Sequence, residues 1–308
     1  MTPPEVFAIA DAPRVADTPG WRVRVVDNLF PALQSAPPPL PALDAPVSRR
    51  RAAGVHEVIV EGPDHDLELA DVSIGDIVDI LGTWSARIAA AWAHPEVRHV
   101  MVFKNRGERA GASLPHPHSQ LLATGVVPPF VATELRAARR GHTCTGRCPF
   151  CQIAVAEGTS SQRVILRHGG LIAFAHPAAL FPYEVWIMPI AHAAEFTSVT
   201  HSGLHELAVT LRSVLRALRA ALADPAFNLI LHTAPRRSAR TQPDSQYHWH
   251  IELVPRLGNI AGFEWGSGIA INHMPPEEAA MVLRQALEPP AARASPLRGT
   301  LLDCSRRG

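Results

Sequence analysis

Two short histidine motifs hold the residues best suited to chemistry. They are HPHSQ at residues 116–120 and YHWHIEL at residues 247–253. Alternate residues of a β-strand point to the same face, so a strand would direct His116, His118 and Gln120 together into one site. A neutral imidazole there can attack phosphorus and form a phosphoramidate, while neighbouring groups orient the ring and stabilise the oxygen charge. A single His-x-His pair is a weak signal, and a structural pair or an exposed loop is the alternative interpretation.

A second cluster of reactive residues is formed by cysteines. Three of the four cysteines lie within residues 144–151, and two of them form the motif CPFC at residues 148–151. Two thiolates at this spacing can supply half of a tetrahedral Zn²⁺ site. A redox C-x-x-C is the alternative, but no thioredoxin-like context surrounds the motif. In a chain without an export signal, such crowding favours a metal over disulfides.

Composition excludes several classes of function. The 308 residues are 47% hydrophobic and carry a net charge of +1, and the 29 basic residues are spread along the chain. No apolar run approaches the roughly 18 residues that a membrane span needs. The start, MTPPEVFAIADAPR, has neither a basic region nor an apolar stretch typical of a signal peptide. We therefore expect a soluble cytoplasmic protein that binds neither nucleic acid nor membranes.

The elements that would position the two histidine motifs occur twice. HEVIVEGPDH (56–65) matches YEVWIMPIAH (183–192) at an offset of 127 residues, and each is a strand-like run closed by a histidine. Apolar residues with a helical period follow at the same offset, in the pairs Ile77 and Leu204, Trp84 and Leu211, and Ile88 and Leu215. VRHVMVFKN (97–105) and FNLILHT (227–233) are then predicted strands that lead to the two histidine motifs.

The whole unit is predicted to be duplicated and fused. Each copy opens with a predicted strand, at residues 21–33 and 163–180, and residues 130–150 join the copies. The order strand, strand, helix, strand, His-x-His strand predicts an α+β fold in which antiparallel sheets pack with long helices. The predicted boundaries are residues 1–130 for the first repeat, 131–289 for the second and 290–308 for an irregular tail.

The segment MVFKNRGERAGASLPHPHSQ (101–120) resembles the active-site segment of galactose-1-phosphate uridylyltransferases, which belong to the histidine-triad superfamily and have a duplicated HIT-like fold. The family pattern is Phe-x-Asn-x-Gly, then Ser, then His-Pro-His-x-Gln, and it is matched by Phe103, Asn105, Gly107, Ser113, His116, Pro117, His118 and Gln120. The resemblance covers about residues 20–285. It implies that His118 is the nucleophile, and that Asn28 together with Asn105, Gly107, Ser113 and Gln120 holds the nucleotide.

The resemblance also implies a double displacement. His118 would attack the α-phosphorus of a nucleoside diphosphate sugar such as UDP-glucose, and a second phosphate acceptor would then remove the nucleotide from the histidine. Gln120 and Ser113 would stabilise the non-bridging oxygens, and the backbone carbonyl near His116 would fix the ring tautomer. Ping-pong kinetics would follow from this mechanism.

The acceptor is assigned by a weaker resemblance. AGFEWGSGIAIN (261–272) resembles the family stretch that touches the hexose, which gives Phe263 and Glu264 as substrate contacts and galactose 1-phosphate as the expected acceptor. Plant-type ADP-glucose phosphorylases share a similar GFE-x-G-x-G run, and for those inorganic phosphate would be the acceptor. A dinucleotide hydrolase and a non-catalytic nucleotide-binding protein are further alternatives. A homodimer is expected in each case.

The resemblance completes the metal sites. Related histidine-triad proteins bind zinc through a C-x-x-C, the histidine that closes the second strand and the first histidine of His-x-His. These residues are Cys148, Cys151, His192 and His248 here. His65 and His116 are the matching histidines of the first repeat, but no cysteine precedes Cys144, which puts a metal there in doubt. A carboxylate site of the family would instead use Glu134, His232, His248 and His250. The two schemes share His248 and compete, and we prefer the cysteine set because thiolates bind zinc strongly.

Overall fold

The computed structural model describes residues 3–40, 49–236 and 244–287. The described strands are β1 (Glu5–Ala10), β2 (Trp21–Asp27), β3 (Gly54–Val60), β4 (His99–Arg106), β5 (His118–Thr124), β6 (Val164–His168), β7 (Leu171–Ala175), β8 (Val185–Pro189), β9 (Phe227–His232) and β10 (His250–Pro255). The described helices of more than one turn are α1 (Ile74–Ala91), α2 (Pro129–Thr145), α3 (Pro149–Ser160), α4 (His201–Leu222), α5 (Gly262–Ser267) and α6 (Pro276–Leu287). None of these helices is long and apolar enough to cross a bilayer.

All ten strands form one antiparallel sheet, in the order β1-β2-β3-β5-β4-β9-β10-β8-β7-β6. The predicted α+β class is therefore confirmed, but the expected separate sheets are one continuous sheet. The two sets of strands meet where β4 pairs with β9, from Val102 opposite Leu231 to Arg106 opposite Phe227. This pairing satisfies backbone groups that an open strand edge would leave exposed.

Helices α1 and α4 pack on one face of the sheet and on each other. Their apolar faces are the predicted ones, since the six residues that align between the repeats are all buried: Ile77, Trp84, Ile88, Leu204, Leu211 and Leu215. Helix α1 begins at a capping box, in which the Ser73 side chain accepts from the backbone N–H of Asp76 and the Asp76 side chain accepts from Ser73. Sequence periodicity and capping together explain why these helices form where they do.

Three predictions of secondary structure were incomplete. The single strand expected at residues 163–180 is a hairpin of β6 and β7, which turns at Gly169 with a φ of +54°. The connection at residues 130–150 is largely helical, because α2 and α3 cover the second sheet face with apolar residues such as Phe150. Strand β1 was not predicted. The tail at residues 290–308 lies outside the described residues, as does most of the arginine-rich loop after Pro235.

Strand register corrects the alignment of the two repeats by one residue. Val58 lies opposite Gln120, whereas Trp186 lies opposite Glu252. Gln120 and Glu252 each follow the second histidine of their motif by two residues. Val58 and Trp186 are thus equivalent, and the β3 and β8 strands match at an offset of 128 residues and not 127. An alignment that is wrong by one residue assigns every side chain of the strand to the wrong face of the sheet.

Candidate active site and metal centre

His118 is the first residue of β5, and only 5% of it is exposed. Its Nδ1 lies 2.8 Å from the backbone carbonyl oxygen of His116. Because a carbonyl oxygen only accepts, the proton lies on Nδ1 and Nε2 keeps a free lone pair. His118 lines an open pocket of about 590 Å³ together with Asn105, Gly107, Ser113 and His116. The structure thus brings these five predicted residues together, with the ring nitrogen suited to nucleophilic attack unprotonated.

Strand β5 is held in place from the helix side of the sheet. The Ser119 hydroxyl accepts a hydrogen bond of 2.8 Å from the buried indole Nε1 of Trp84, in helix α1. Since neighbouring residues of a strand point to opposite faces, His118 and Gln120 lie on the face away from α1. The shared face that alternation predicted is therefore present for His118 and Gln120, whereas His116 precedes the strand.

The loop that precedes the motif depends on a glycine. Gly107 has a φ of +81°, and a Cβ at this position would lie 2.9 Å from the Cβ of Ala226. Its carbonyl oxygen accepts hydrogen bonds from the backbone N–H groups of Ala110 at 3.1 Å and of Ala112 at 3.2 Å. A side chain at residue 107 would strain this turn, which forms one wall of the pocket.

The amide of Asn105 is oriented by a residue that sequence reasoning missed. Nδ2 of Asn228, in β9, donates to Asn105 Oδ1 at 2.8 Å and to the Ala110 carbonyl oxygen at 2.9 Å. Asn105 and Asn228 are direct cross-strand partners at the junction of β4 and β9. Because Oδ1 of Asn105 is occupied, its Nδ2 is the end left for a ligand.

Two more predicted nucleotide residues meet through a histidine that was not predicted. Asn28 Nδ2 and Gln120 Oε1 lie 3.0 Å and 2.9 Å from Nε2 of His56. Phe263 and Glu264, by contrast, lie on the exposed helix α5 and do not line the pocket of His118 within the described chain. The predicted nucleotide residues therefore form two groups in the described chain: those that line the pocket of His118, and Asn28 with Gln120, which meet at His56 and do not line that pocket. The predicted sugar contacts belong to neither group.

The predicted cysteine and histidine ligands form a compact group. One side-chain atom from each of Cys148, Cys151, His192 and His248 lies within 4.8 Å of the others. Cys151 Sγ is 3.4 Å from His192 Nδ1 and 3.5 Å from His248 Nδ1. Helix α3, whose N-cap residue is Cys148, brings the cysteines to the ends of β8 and β10. These four residues could hold a metal ion.

The surroundings of the group also fit a cation. Nε2 of His192 lies 2.7 Å from the Ser245 carbonyl oxygen and Nε2 of His248 lies 3.0 Å from that of Pro189, so both Nδ1 lone pairs face the thiols. Burial and the neighbouring cysteine raise the pKa of Cys151 to about 12, while burial and His192 lower the pKa of His248 to about 4. A thiol with so high a pKa ionises at neutral pH only when a cation compensates its charge.

A second possible metal group is separate from the first. Ligand atoms of Glu134, His232 and His250 lie within 4.8 Å of one another, without His248. Nε2 of His232 is 3.5 Å from Glu252, and although burial opposes its charge, this carboxylate raises the pKa of His232. The two schemes predicted from sequence therefore do not compete for His248, which faces the cysteines.

The matching histidines of the first repeat contact each other directly. Nδ1 of His116 lies 2.8 Å from Nδ1 of His65, and Nε2 of His116 lies 2.7 Å from the Gly62 carbonyl oxygen. Two nitrogen ligands of one tetrahedral Zn²⁺ would be about 3.3 Å apart, given bonds of about 2.0 Å. The shorter distance is that of a hydrogen bond between the rings.

The antiparallel sheet and its histidine-lined pocket fit a nucleotidyltransferase, and comparisons with known proteins support this class of enzyme. The family described as galactose-1-phosphate uridyl transferase, N-terminal domain, matches residues 21–128. An ADP-glucose phosphorylase of Arabidopsis thaliana is 34% identical over 289 residues, which are 92% of this chain and 78% of the relative. The chain belongs to the galactose-1-phosphate uridylyltransferase family.

Two further comparisons show similarity over most of the chain. A galactose-1-phosphate uridylyltransferase of Thermotoga maritima is 29% identical over 266 residues, which are 84% of this chain and 83% of the relative. A crystal structure of an ADP-glucose phosphorylase from Arabidopsis thaliana with bound ADP-glucose has a TM-score of 0.78 and 32% identity, and the match covers 92% of this chain and 85% of that one. Both a galactose-1-phosphate uridylyltransferase and an ADP-glucose phosphorylase are therefore similar to this chain over most of its length, including both halves of the sheet.

Proposed function

We propose that the protein transfers a nucleotidyl group from a nucleoside diphosphate sugar through a covalent intermediate on His118. The observation that carries this proposal is the hydrogen bond of 2.8 Å from His118 Nδ1 to the His116 carbonyl oxygen, which leaves Nε2 unprotonated beside the pocket. Nε2 forms a bond to the α-phosphorus, and the bond from that phosphorus to the bridging oxygen breaks. The sugar 1-phosphate leaves with the electron pair of the broken bond.

The second half-reaction regenerates the histidine. A phosphate oxygen of the acceptor attacks the same phosphorus, and the bond to Nε2 breaks. When Nε2 is bonded to phosphorus the ring is cationic, and the His116 carbonyl oxygen stabilises the proton that stays on Nδ1. Ser113 and Gln120 donate to the non-bridging oxygens, while Asn28, Asn105 and Gly107 hold the nucleotide.

Two donor and acceptor pairs fit this chemistry. The first is UDP-glucose with galactose 1-phosphate, as the family match suggests. Phe263 and Glu264 do not line the His118 pocket of a single chain, so as sugar contacts they would come from the second subunit of a homodimer. The second is ADP-glucose with inorganic phosphate, and it is supported by the 34% identity to an ADP-glucose phosphorylase. Transfer of the nucleotidyl group to water is a third possible reaction and would make the protein a hydrolase. An assay must distinguish it from transfer to galactose 1-phosphate or to phosphate.

We also propose that Cys148, Cys151, His192 and His248 bind Zn²⁺. The thiolates and the unprotonated Nδ1 atoms are the ligands that structural zinc prefers, and four of them close a tetrahedral site with no position for substrate. Bound zinc would tie the start of α3 to the ends of β8 and β10 and so support the second half of the sheet. The chemistry at His118 needs no metal.

Radioactive labelling tests the intermediate and the substrates together. The protein is incubated with UDP-glucose or ADP-glucose labelled at the α-phosphorus, with and without galactose 1-phosphate or phosphate, and acid-labile label on the denatured chain is counted. We expect label from the true donor, its release by the true acceptor and none on the His118→Gly variant. His205→Ala, at an exposed position of α4, is the control and should be labelled normally. Full labelling of His118→Gly would refute the proposal, and nucleotide release without any phosphate acceptor would indicate a hydrolase.

A further inference from the structure

His56 lies in β3 on the same sheet face as Gln120. Its cross-strand partner is Leu122, while that of Gln120 is Val58, so the side chains of His56 and Gln120 are diagonal neighbours. His56 Nε2 lies 2.9 Å from Gln120 Oε1. The other ring nitrogen, Nδ1, lies 3.0 Å from the backbone nitrogen of Ala32.

These two contacts fix the tautomer of His56. The backbone N–H of Ala32 donates, so Nδ1 accepts and the single proton of the neutral ring is on Nε2. That proton is donated to Gln120 Oε1. Asn28 Nδ2 lies 3.0 Å from the same nitrogen but is itself a donor, because its Oδ1 accepts from the backbone N–H of Phe30. In this tautomer Nε2 cannot accept from Asn28, and the acceptor of its proton is Gln120 Oε1.

The tautomer decides which end of Gln120 faces the substrate. A glutamine amide can present either an oxygen acceptor or an NH₂ donor, and only the donor stabilises a negatively charged phosphoryl oxygen. With Oε1 occupied by His56, the NH₂ group is the end that remains. We infer that His56 is a positioning residue that holds the Gln120 amide in the orientation that donates to the transferred phosphoryl group. The inference rests on the nucleotidyl transfer proposed above.

The second half of the molecule lacks this arrangement. The corrected strand register makes His56 equivalent to Glu184 and Gln120 equivalent to Glu252. Burial and the charge of Glu252 raise the pKa of Glu184 to about 7, since two neighbouring carboxylates resist being charged together. Neither glutamate side chain has an amide N–H group, so within the described chain the second half has no counterpart of the His56 and Gln120 pair.

Two polar substitutions at residue 56 test the inference. The longer side chain in His56→Gln can still place an N–H group near Gln120 Oε1, whereas that in His56→Asn is too short to reach it. We expect His56→Asn to lower kcat about tenfold, because a misplaced group in the site is costly, and to change KM for the sugar nucleotide less than twofold. His56→Gln should recover at least a third of the wild-type kcat.

A double-mutant cycle separates positioning from a general structural effect. In a Gln120→Ala background, His56→Asn should cause no further loss of kcat, because its partner is already absent. The inference is overturned if His56→Asn retains the wild-type kcat, if His56→Gln is as slow as His56→Asn, or if the tenfold loss recurs in the Gln120→Ala background. A wild-type protein that never becomes labelled would instead refute the proposed function, so the two failures are distinguishable.

Discussion

Asn228→Leu tests whether the second half of the sheet holds the nucleotide pocket in shape. Asn228 Nδ2 donates to Asn105 Oδ1 at 2.8 Å and to the Ala110 carbonyl oxygen at 2.9 Å, and leucine keeps the branched shape of the side chain but removes both hydrogen bonds. Each neutral hydrogen bond contributes about 1 kcal/mol to stability. We therefore expect the free energy of unfolding to fall by about 2 kcal/mol.

The same loss should appear in nucleotide binding. Without Asn228, the Asn105 amide is free to rotate, and a nucleotide must order it together with the loop that contains Ala110. If the binding free energy is weakened by the full amount of about 2 kcal/mol, the affinity for the nucleotide falls by about thirtyfold, since about 1.4 kcal/mol corresponds to a factor of ten. The thirtyfold figure is an upper bound, because some of the lost stability concerns the sheet and not the pocket.

Calorimetric titration with UDP and with ADP measures the affinity, and urea unfolding measures the stability. Thr233→Val is the matched control, because it removes a buried hydrogen bond of 3.1 Å from the Phe196 backbone N–H at a position that does not line the pocket. It should lower stability and leave affinity unchanged. The reasoning is refuted if Asn228→Leu binds nucleotide like the wild type, or if its effect adds fully to that of Asn105→Ala.

Three further predictions concern stability and metal content. Burial and a neighbouring histidine lower the pKa of His99 to about 3, so only the unfolded chain gains this proton as pH falls below about 6.5. His99 should therefore contribute about 2 kcal/mol to the loss of stability between pH 7 and 5, and urea unfolding of His99→Leu should show a loss smaller by about that amount. Ser119→Ala leaves the buried Trp84 indole N–H without its acceptor and should cost about 1–3 kcal/mol; an unchanged thermal midpoint would contradict this. Elemental analysis should find zinc that is lost in Cys151→Ser and retained in His65→Ala, whereas a zinc ion that is lost in His65→Ala would contradict a metal-free first half.

Features set by local periodicity could be predicted from the sequence. The buried faces of α1 and α4 follow from apolar residues spaced by one helical turn, such as Trp84 in α1 and Leu211 in α4. The shared face of His118 and Gln120 follows from the alternation of a strand. Both patterns involve residues close in sequence, so no knowledge of strand pairing was needed.

Features set by strand pairing could not be predicted in the same way. His56 and Gln120 are 64 residues apart, and Asn105 and Asn228 are 123 apart, so their contacts require the register of the folded sheet. The alignment of the repeats at a constant offset was wrong by one residue at β3 and β8. A constant offset cannot show that the segments after these two strands differ in length by one residue. The apolar pattern of α2 was missed because the segment was interpreted only as a connection.

The junction of β4 and β9 makes the two repeats interdependent. Five residue pairs join them there, and the pocket wall at Asn105 is secured across the same boundary. Neither repeat is therefore expected to be stable when expressed alone, since its outermost ladder would be unpaired and prone to association. The second set of strands thus contributes to the nucleotide pocket by holding Asn105 in place, even though the nucleophile proposed here lies in the first set.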